Sequence, residues 1–238
     1  MILDLELPKP TFHPNRIVLS LDGDITYCMN VLQDILNEQD TIGKQLLWGV
    51  KLNSNLIHDG VHIVKMLKDK GVKIMADPKL YDISTTMADT ITILNNVKSD
   101  IITVHASSGF YTNQINIMSR LACVTVLTSF TEDACKFIYN DTLENTILKF
   151  AKWAYSVGYG FLVCAPTDLE LLRDIPIKKI CPGVRPHWYG TEDNQVRTMG
   201  PYQTRLEGAD LIVVGRPIMN AKVPVDAMLR LNEDMGYI

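Results

Sequence analysis

The sequence predicts an α/β fold, a single-domain (β/α)8 TIM barrel, on three observations. Short apolar runs recur eight times, most of them followed by a segment with helical periodicity. The runs are continuously apolar rather than alternating, as in strands covered on both faces by helices. No linker, low-complexity stretch or shift in composition divides the 238 residues, and barrels of this kind commonly use roughly 200–250 residues as one unit. The whole chain, 1–238, is therefore read as one barrel domain, with 1–14 as an N-terminal extension.

In chain order, RIVLSLD (16–22) is strand one, and TYCMNVLQDILNE follows as a helix with apolar positions at three-and-four spacing. LLWGVKL (46–52) is strand two, and VHIVKMLKDKG is a short helix closed by Gly71. VKIMAD (72–77) is strand three, before a helix over 85–97. DIITVHA (100–106) and LACVTVLT (121–128) are strands four and five, with GFYTNQINIMSR between them read as helical. A long helix at 143–157 ends at Gly158, and GFLVCAP is strand six. TDLELLRD forms a short helix before strand seven, KKICPGV. TRLEG ends a brief helix before strand eight, ADLIVVG, and VDAMLRLNED closes the chain as a helix.

Composition narrows the function. The net charge is −4, which does not favour nucleic acid as a bulk partner, since a basic face is its usual footprint. Five cysteines, Cys28, Cys123, Cys135, Cys164 and Cys181, are scattered without C-x-x-C spacing, which fits reduced thiols rather than a disulfide framework. The N-terminal stretch carries Asp4 and Glu6 and lacks the apolar core of a secretory signal. No apolar run approaches the roughly 20 residues of a membrane span. The expectation is a cytoplasmic protein with no membrane association.

In such barrels chemistry lies at the C-terminal ends of the strands, so the residues there are the candidates. Strand one ends in Asp22, strand two in Lys51, and strand three in Asp77 and Lys79, with Asp82 in the loop beyond. Residues two apart on a strand share a face, which directs Asp77 and Lys79 into one pocket. These charges read either as a structural ion-pair ring or as a catalytic array, and their arrival from several segments at one rim favours the array. On the far side, CPGVRP and VVGRPI end strands seven and eight, where barrels often hold phosphate. Gly183 and Gly215 allow backbone N–H groups close to an anion, and Arg216 can grip phosphate oxygens bidentately. A turn with a solvated arginine is the competing reading there. HDGVH (58–62) superficially resembles a zinc motif, but Gly60 and the missing third ligand argue for a helix start. His105, ending strand four, is read as a packed residue rather than a base.

These residues carry a resemblance. ADPKLYDISTT resembles the D-x-K-x-x-D-I signature of the orotidine 5'-monophosphate decarboxylase family, whose activity is the last step of UMP biosynthesis. LSLD, VKL, TVHASSG, VTVLTS, PGVRP, NQVRT and GADLIVVGRPI come in the family's order. The resemblance implies a cofactor-free carboxy-lyase of pyrimidine biosynthesis that needs no metal. Lys51, Asp77, Lys79 and Asp82 look like its charged catalytic tetrad, with Lys79 the proton donor to C6. Asp82 would reach into the other subunit's site of a homodimer, and Ile83 and Thr86 match positions that cross that interface. Asp22 is similar to the ribose-binding aspartate and Thr128 to the residue beside the pyrimidine. Gln195 and Arg216 look like phosphate ligands, and Pro182 and Gly215 complete the substrate-binding set. A loop over 187–197 is a candidate to close over the phosphate.

Departures from the common pattern are Leu80-Tyr81, Ser84-Thr85, Asn53 and the loop HWYGTEDNQVRT. Two alternatives stay open. One is a sugar-phosphate decarboxylase on the same scaffold that uses Mg2+, against which Ile83 counts because that group usually has glycine there. The other is a catalytically silent nucleotide-binding barrel.

Overall fold

The computed structural model describes residues 15–116, 118–190 and 197–238. Eight parallel strands pair in sequence order and close through β1 and β8 into a barrel. The strands are β1 (Ile17–Leu21), β2 (Gly49–Leu52), β3 (Ile74–Leu80), β4 (Ile101–His105), β5 (Arg120–Val124), β6 (Phe161–Val163), β7 (Lys178–Pro182) and β8 (Leu211–Val214). Around them lie α1 (Ile25–Ile42), α2 (Ser54–Asp59), α3 (Val61–Asp69), α4 (Ser84–Asn96), α5 (Glu132–Tyr139), α6 (Leu143–Ser156), α7 (Pro201–Leu206), α8 (Arg216–Met219) and α9 (Pro224–Asp234).

The period of two along each strand divides the core into two bodies. Val18, Met75, Ile101, Val124, Phe161, Val163, Ile180 and Val213 fill the barrel interior. Their neighbours, including Ile17, Leu19, Ile74, Ile102, Cys123, Leu162, Ile212 and Val214, face outward under the helices. Continuous apolar runs thus arise because both faces are buried. The interior is apolar through its lower layers and turns polar at the top, where Asp22, Lys51, Asp77 and Thr128 come to the mouth. All five cysteines are free and buried.

Local chemistry sets the element ends. The Asp24 carboxylate accepts the Tyr27 N–H at the start of α1, and Gly43 closes that helix in the left-handed region with φ 64°. Strand β2 starts at Gly49 rather than Leu46. A Cβ at Gly49 would lie 2.3 Å from the Lys73 carbonyl oxygen, so only glycine fits the contact with β3.

Two expected helices are replaced by other structure. Among its described residues, GFYTNQINIMSR forms a 3-10 turn at Thr112–Gln114 and no α-helix. Phe110 is wholly buried and the Thr112 hydroxyl bonds to the Val157 carbonyl oxygen, so the segment is pinned to the barrel by its ends instead of coiling. TDLELLRD begins in a 3-10 turn, Pro166–Asp168, and continues in turns. There the Asp168 carboxylate folds back onto the Ala165 N–H, a local bond that competes with helix. Conversely, α5 was not expected, although Thr131 caps it and Glu132 and Asp133 occupy its first turn. His58 and His62 lie on α2 and α3, with Gly60 breaking the helix between them, which removes the zinc-motif reading. Among the described residues no helix is long and apolar enough to cross a membrane.

Candidate active site

Strand β3 positions the site by departing from regular register. Ala76 pairs with Ile102 and Leu80 with Val104, so four steps of β3 face two of β4. This bulge contains Asp77, Pro78 and Lys79. Proline has no N–H to lose from the ladder, which suits it to an interrupted stretch. Lys79 has φ 49°, a left-handed conformation that costs a non-glycine residue roughly 1–2 kcal/mol. The Thr103 hydroxyl offsets that cost, accepting the Lys79 backbone N–H at 2.9 Å and donating to Asp77 Oδ1 at 2.9 Å. The simple alternation expected from sequence brings Asp77 and Lys79 to one side, and both line the cleft even though the bulge interrupts the strand between Ala76 and Leu80.

A line of alternating charge follows. Lys79 Nζ donates to Asp77 Oδ2 at 2.6 Å, and Lys51 Nζ lies 3.4 Å from the same oxygen. Lys51 Nζ is also 3.4 Å from Asp22 Oδ2, which accepts a hydrogen bond from the Ser20 hydroxyl. The Asp77 side chain is 6% exposed and that of Lys51 12%, whereas Lys79 keeps 34% of its surface open to the cleft. One buried carboxylate therefore serves two ammonium groups, and its main-chain carbonyl accepts from Asn53 Nδ2 at 2.6 Å. Fixed dipoles and charges of this kind need no rearrangement when charge develops beside them.

The cleft at the C-terminal mouth has a volume of about 250 Å³. Asp22, Lys51, Asp77, Lys79, Thr128, Pro182, Gly215 and Arg216 all line it. The sequence-derived set is thus brought together except at four positions. Asp82, Ile83 and Thr86 are exposed outside their own barrel's cleft, where the Asp82 carboxylate accepts the Ile83 N–H at 2.7 Å. Gln195, and with it most of the expected closing loop, lies outside the described residues.

Several residues escaped sequence reasoning. Thr103 sits mid-strand among apolar neighbours, and only its inward register marks it. Arg185, within the quoted PGVRP, lines the cleft and stacks over Tyr189 with 5.8 Å to the ring centroid. Arg197 donates to Asp168 Oδ1 at 2.6 Å and to the carbonyls of Val126 and Leu127, tying the chain beyond residue 196 to the mouth. Burial pushes the Asp168 carboxyl above its ordinary range, against the pull of Arg197. His105 is held below its ordinary value, first by burial and then by the nearby Lys79 charge. Its Nδ1 accepts the Ser107 N–H at 3.3 Å, leaving the ring proton on Nε2. Packed edge-on to Tyr81 and absent from the cleft lining, it is a supporting residue.

A closed parallel barrel with a line of lysines and aspartates around the buried Asp77 at its C-terminal mouth, faced by Gly215 and Arg216, defines a barrel enzyme for a small anionic substrate. The chain belongs to the orotidine 5'-phosphate decarboxylase / HUMPS family, which it matches over residues 15–231. It is 34% identical over 206 residues to a protein of Campylobacter concisus named orotidine 5'-phosphate decarboxylase, covering 81% of this chain and 90% of the relative. A protein of the same name from Staphylococcus aureus is 30% identical over 230 residues, 91% of this chain and 96% of the relative. The fold is similar to the crystal structure of orotidine 5'-phosphate decarboxylase from Lactobacillus acidophilus, with a TM-score of 0.74, 24% identity, and 93% and 99% of the two chains covered.

Proposed function

We propose that this chain decarboxylates orotidine 5'-monophosphate to UMP without a cofactor, as a carboxy-lyase of pyrimidine biosynthesis. The observation that carries the reading is the shared carboxylate, Asp77, holding Lys51 and Lys79 at 3.4 and 2.6 Å in the barrel mouth. The bond from C6 to the carboxyl carbon breaks, CO2 leaves, and the electron pair remains on C6. Lys79 stabilises that pair electrostatically and delivers a proton to it. Asp77 lies against the departing carboxylate, while Lys51 keeps the array balanced. Asp22 takes the ribose hydroxyls, Thr128 lies beside the pyrimidine, Gly215, Arg216 and Gln195 receive the phosphate, and Pro182 completes the substrate-binding set. Binding energy from that remote group is available for the chemical step.

The site is completed in a homodimer. Asp82 is exposed and does not line its own cleft, and beside it Tyr81 and Ile83 are 67% and 69% exposed. Large apolar side chains grouped in a loop mark a contact surface, and Ile83 and Thr86 would enter it with Asp82. The Asp82 carboxylate then joins the partner's Lys51–Asp77–Lys79 line.

The direct test follows the loss of orotidine 5'-monophosphate absorbance in excess EDTA, with Lys79→Ala beside the wild type. Turnover that survives EDTA and collapses in the variant is the expected result. EDTA-sensitive activity on sugar phosphates would replace this reading with the Mg2+-dependent one, and tight UMP binding without turnover would replace it with a silent barrel.

A further inference from the structure

The opposite end of the barrel carries an unrelated concentration of charge. In a chain of net charge −4, six cationic side chains, Arg16, Lys68, Lys73, Lys98, Arg120 and Lys178, line one cavity of about 670 Å³ at the N-terminal ends of the strands. Two carboxylates share it, and both are already engaged. Asp100 accepts the Ile74 N–H at 2.7 Å and Lys68 Nζ at 2.8 Å, and Asp210 accepts the Lys179 N–H at 2.9 Å. Among the described residues Lys68 is the only one of the six in an ion pair. Lys73, Lys98, Arg120 and Lys178 are exposed, and they come from four different segments.

The cavity also has features of a built wall. Lys73 lies over the Trp48 ring and Arg120 over the Phe161 ring, at 5.5 and 6.0 Å from the centroids, which positions both cations. Ser99, 3% exposed, lines the same cavity with a buried hydroxyl that has no hydrogen-bond partner among the described residues. A buried hydroxyl without a partner is destabilising, and so are like charges gathered in one concavity. A stabilising ion network would alternate signs; this one does not.

We propose that this N-terminal mouth is a binding site for a polyphosphate anion, either an inorganic one or the phosphate tail of a nucleoside triphosphate. Several linked phosphates match four separated cations around a cavity of this size, where a single phosphate could engage only part of them. The site lies at the far end of the strands from Lys79 and Arg216, so it takes this ligand independently of the catalytic cleft.

The test is calorimetric titration of the full chain with inorganic triphosphate at low and high salt. Wild type is compared with Lys73→Ala/Arg120→Ala and with the cleft variant Arg216→Ala. The expected result is salt-sensitive binding of one equivalent and a raised Tm. The affinity falls at least tenfold and the Tm shift shrinks in Lys73→Ala/Arg120→Ala, and both are kept in Arg216→Ala. Circular dichroism verifies folding, and Lys98→Ala/Lys178→Ala serves if the first pair does not fold. A parallel titration with ATP separates the sources. Tighter binding of ATP assigns the site to nucleotides, and equal or weaker binding assigns it to free polyphosphate. No binding by the wild type, or loss only in Arg216→Ala, overturns the proposal.

Discussion

Thr103 on β4 holds Lys79 on β3 in place: its hydroxyl accepts the Lys79 backbone N–H while donating to Asp77 Oδ1, both at 2.9 Å. One wholly buried hydroxyl thus fixes the bulge and orients the carboxylate to which the lysine is bound. Thr103→Val keeps the shape and removes both bonds. It should destabilise the fold by about 1–3 kcal/mol, the cost of leaving buried polar groups unpaired. It should also lower kcat by roughly 10–100-fold through misplacement of Lys79, with KM little changed. Denaturant unfolding and steady-state kinetics read the two effects; unchanged kcat would show that the bulge holds Lys79 without Thr103.

Lys79→Ala should reduce kcat by about 10³-fold or more, because proton delivery and charge stabilisation are lost together. Folding should survive, since Lys51 remains within 3.4 Å of Asp77 to balance it. Asp77→Ala is the contrasting variant. It leaves Lys51 and Lys79 facing each other without their shared anion, and should cost about 3–5 kcal/mol of stability as well as activity.

Site sharing can be tested by subunit mixing. Asp82→Ala and Lys79→Ala proteins should each be inactive alone. Mixed after partial unfolding and refolding, they should regain part of the activity, because a mixed dimer holds one site with both native residues. Size-exclusion chromatography follows dimer formation; dimers that mix without recovering activity would remove Asp82 from the partner's site.

His105 gives a pH dependence. Its folded-state pKa lies below the ordinary 6.5, so the unfolded chain binds the proton more readily. Stability should therefore fall as pH drops through 6.5 toward the folded value, and rise again as pH returns above 6.5. His105→Gln should flatten that part of the stability profile, as measured by Tm between pH 5 and 8. An equal slope in the variant would assign the effect to other groups.

Arg197 and Asp168 form a pair with 11% and 6% side-chain exposure. Arg197→Ala leaves the carboxylate buried without its cation and should cost about 3–5 kcal/mol. Asp168→Asn in the same background should restore part of the loss, since no charge is then stranded. Denaturation midpoints of the two single variants and the double variant measure the coupling.

The barrel was readable because its strands are buried on both faces, so each appears as an unbroken apolar run. Asp22, Lys51 and Asp77 were readable because charge at the end of such a run has few structural uses. The β3 bulge was not, since pairing register belongs to two strands and Pro78 alone only hints at it. Segment 109–120 misled for the opposite reason: its local pattern suits a helix, but burial of Phe110 and the Thr112 bond to Val157 decide its path. Thr103 and Arg197 act through partners 24 to 71 positions away, which no local pattern reports. Asp82 was legible as a charge in the loop after strand three, Ile83 and Thr86 only through the family signature, and all three are exposed outside the cleft of their own barrel.

The dependence of two lysines on one aspartate also constrains how such a sequence can diverge. Replacing Asp77 leaves two ammonium groups without their shared anion, so a path of one-step substitutions that begins there is penalised in folding before any new activity can arise. Descendants of this chain should therefore keep Asp77 for as long as both lysines remain, even where natural selection for the reaction itself has ended.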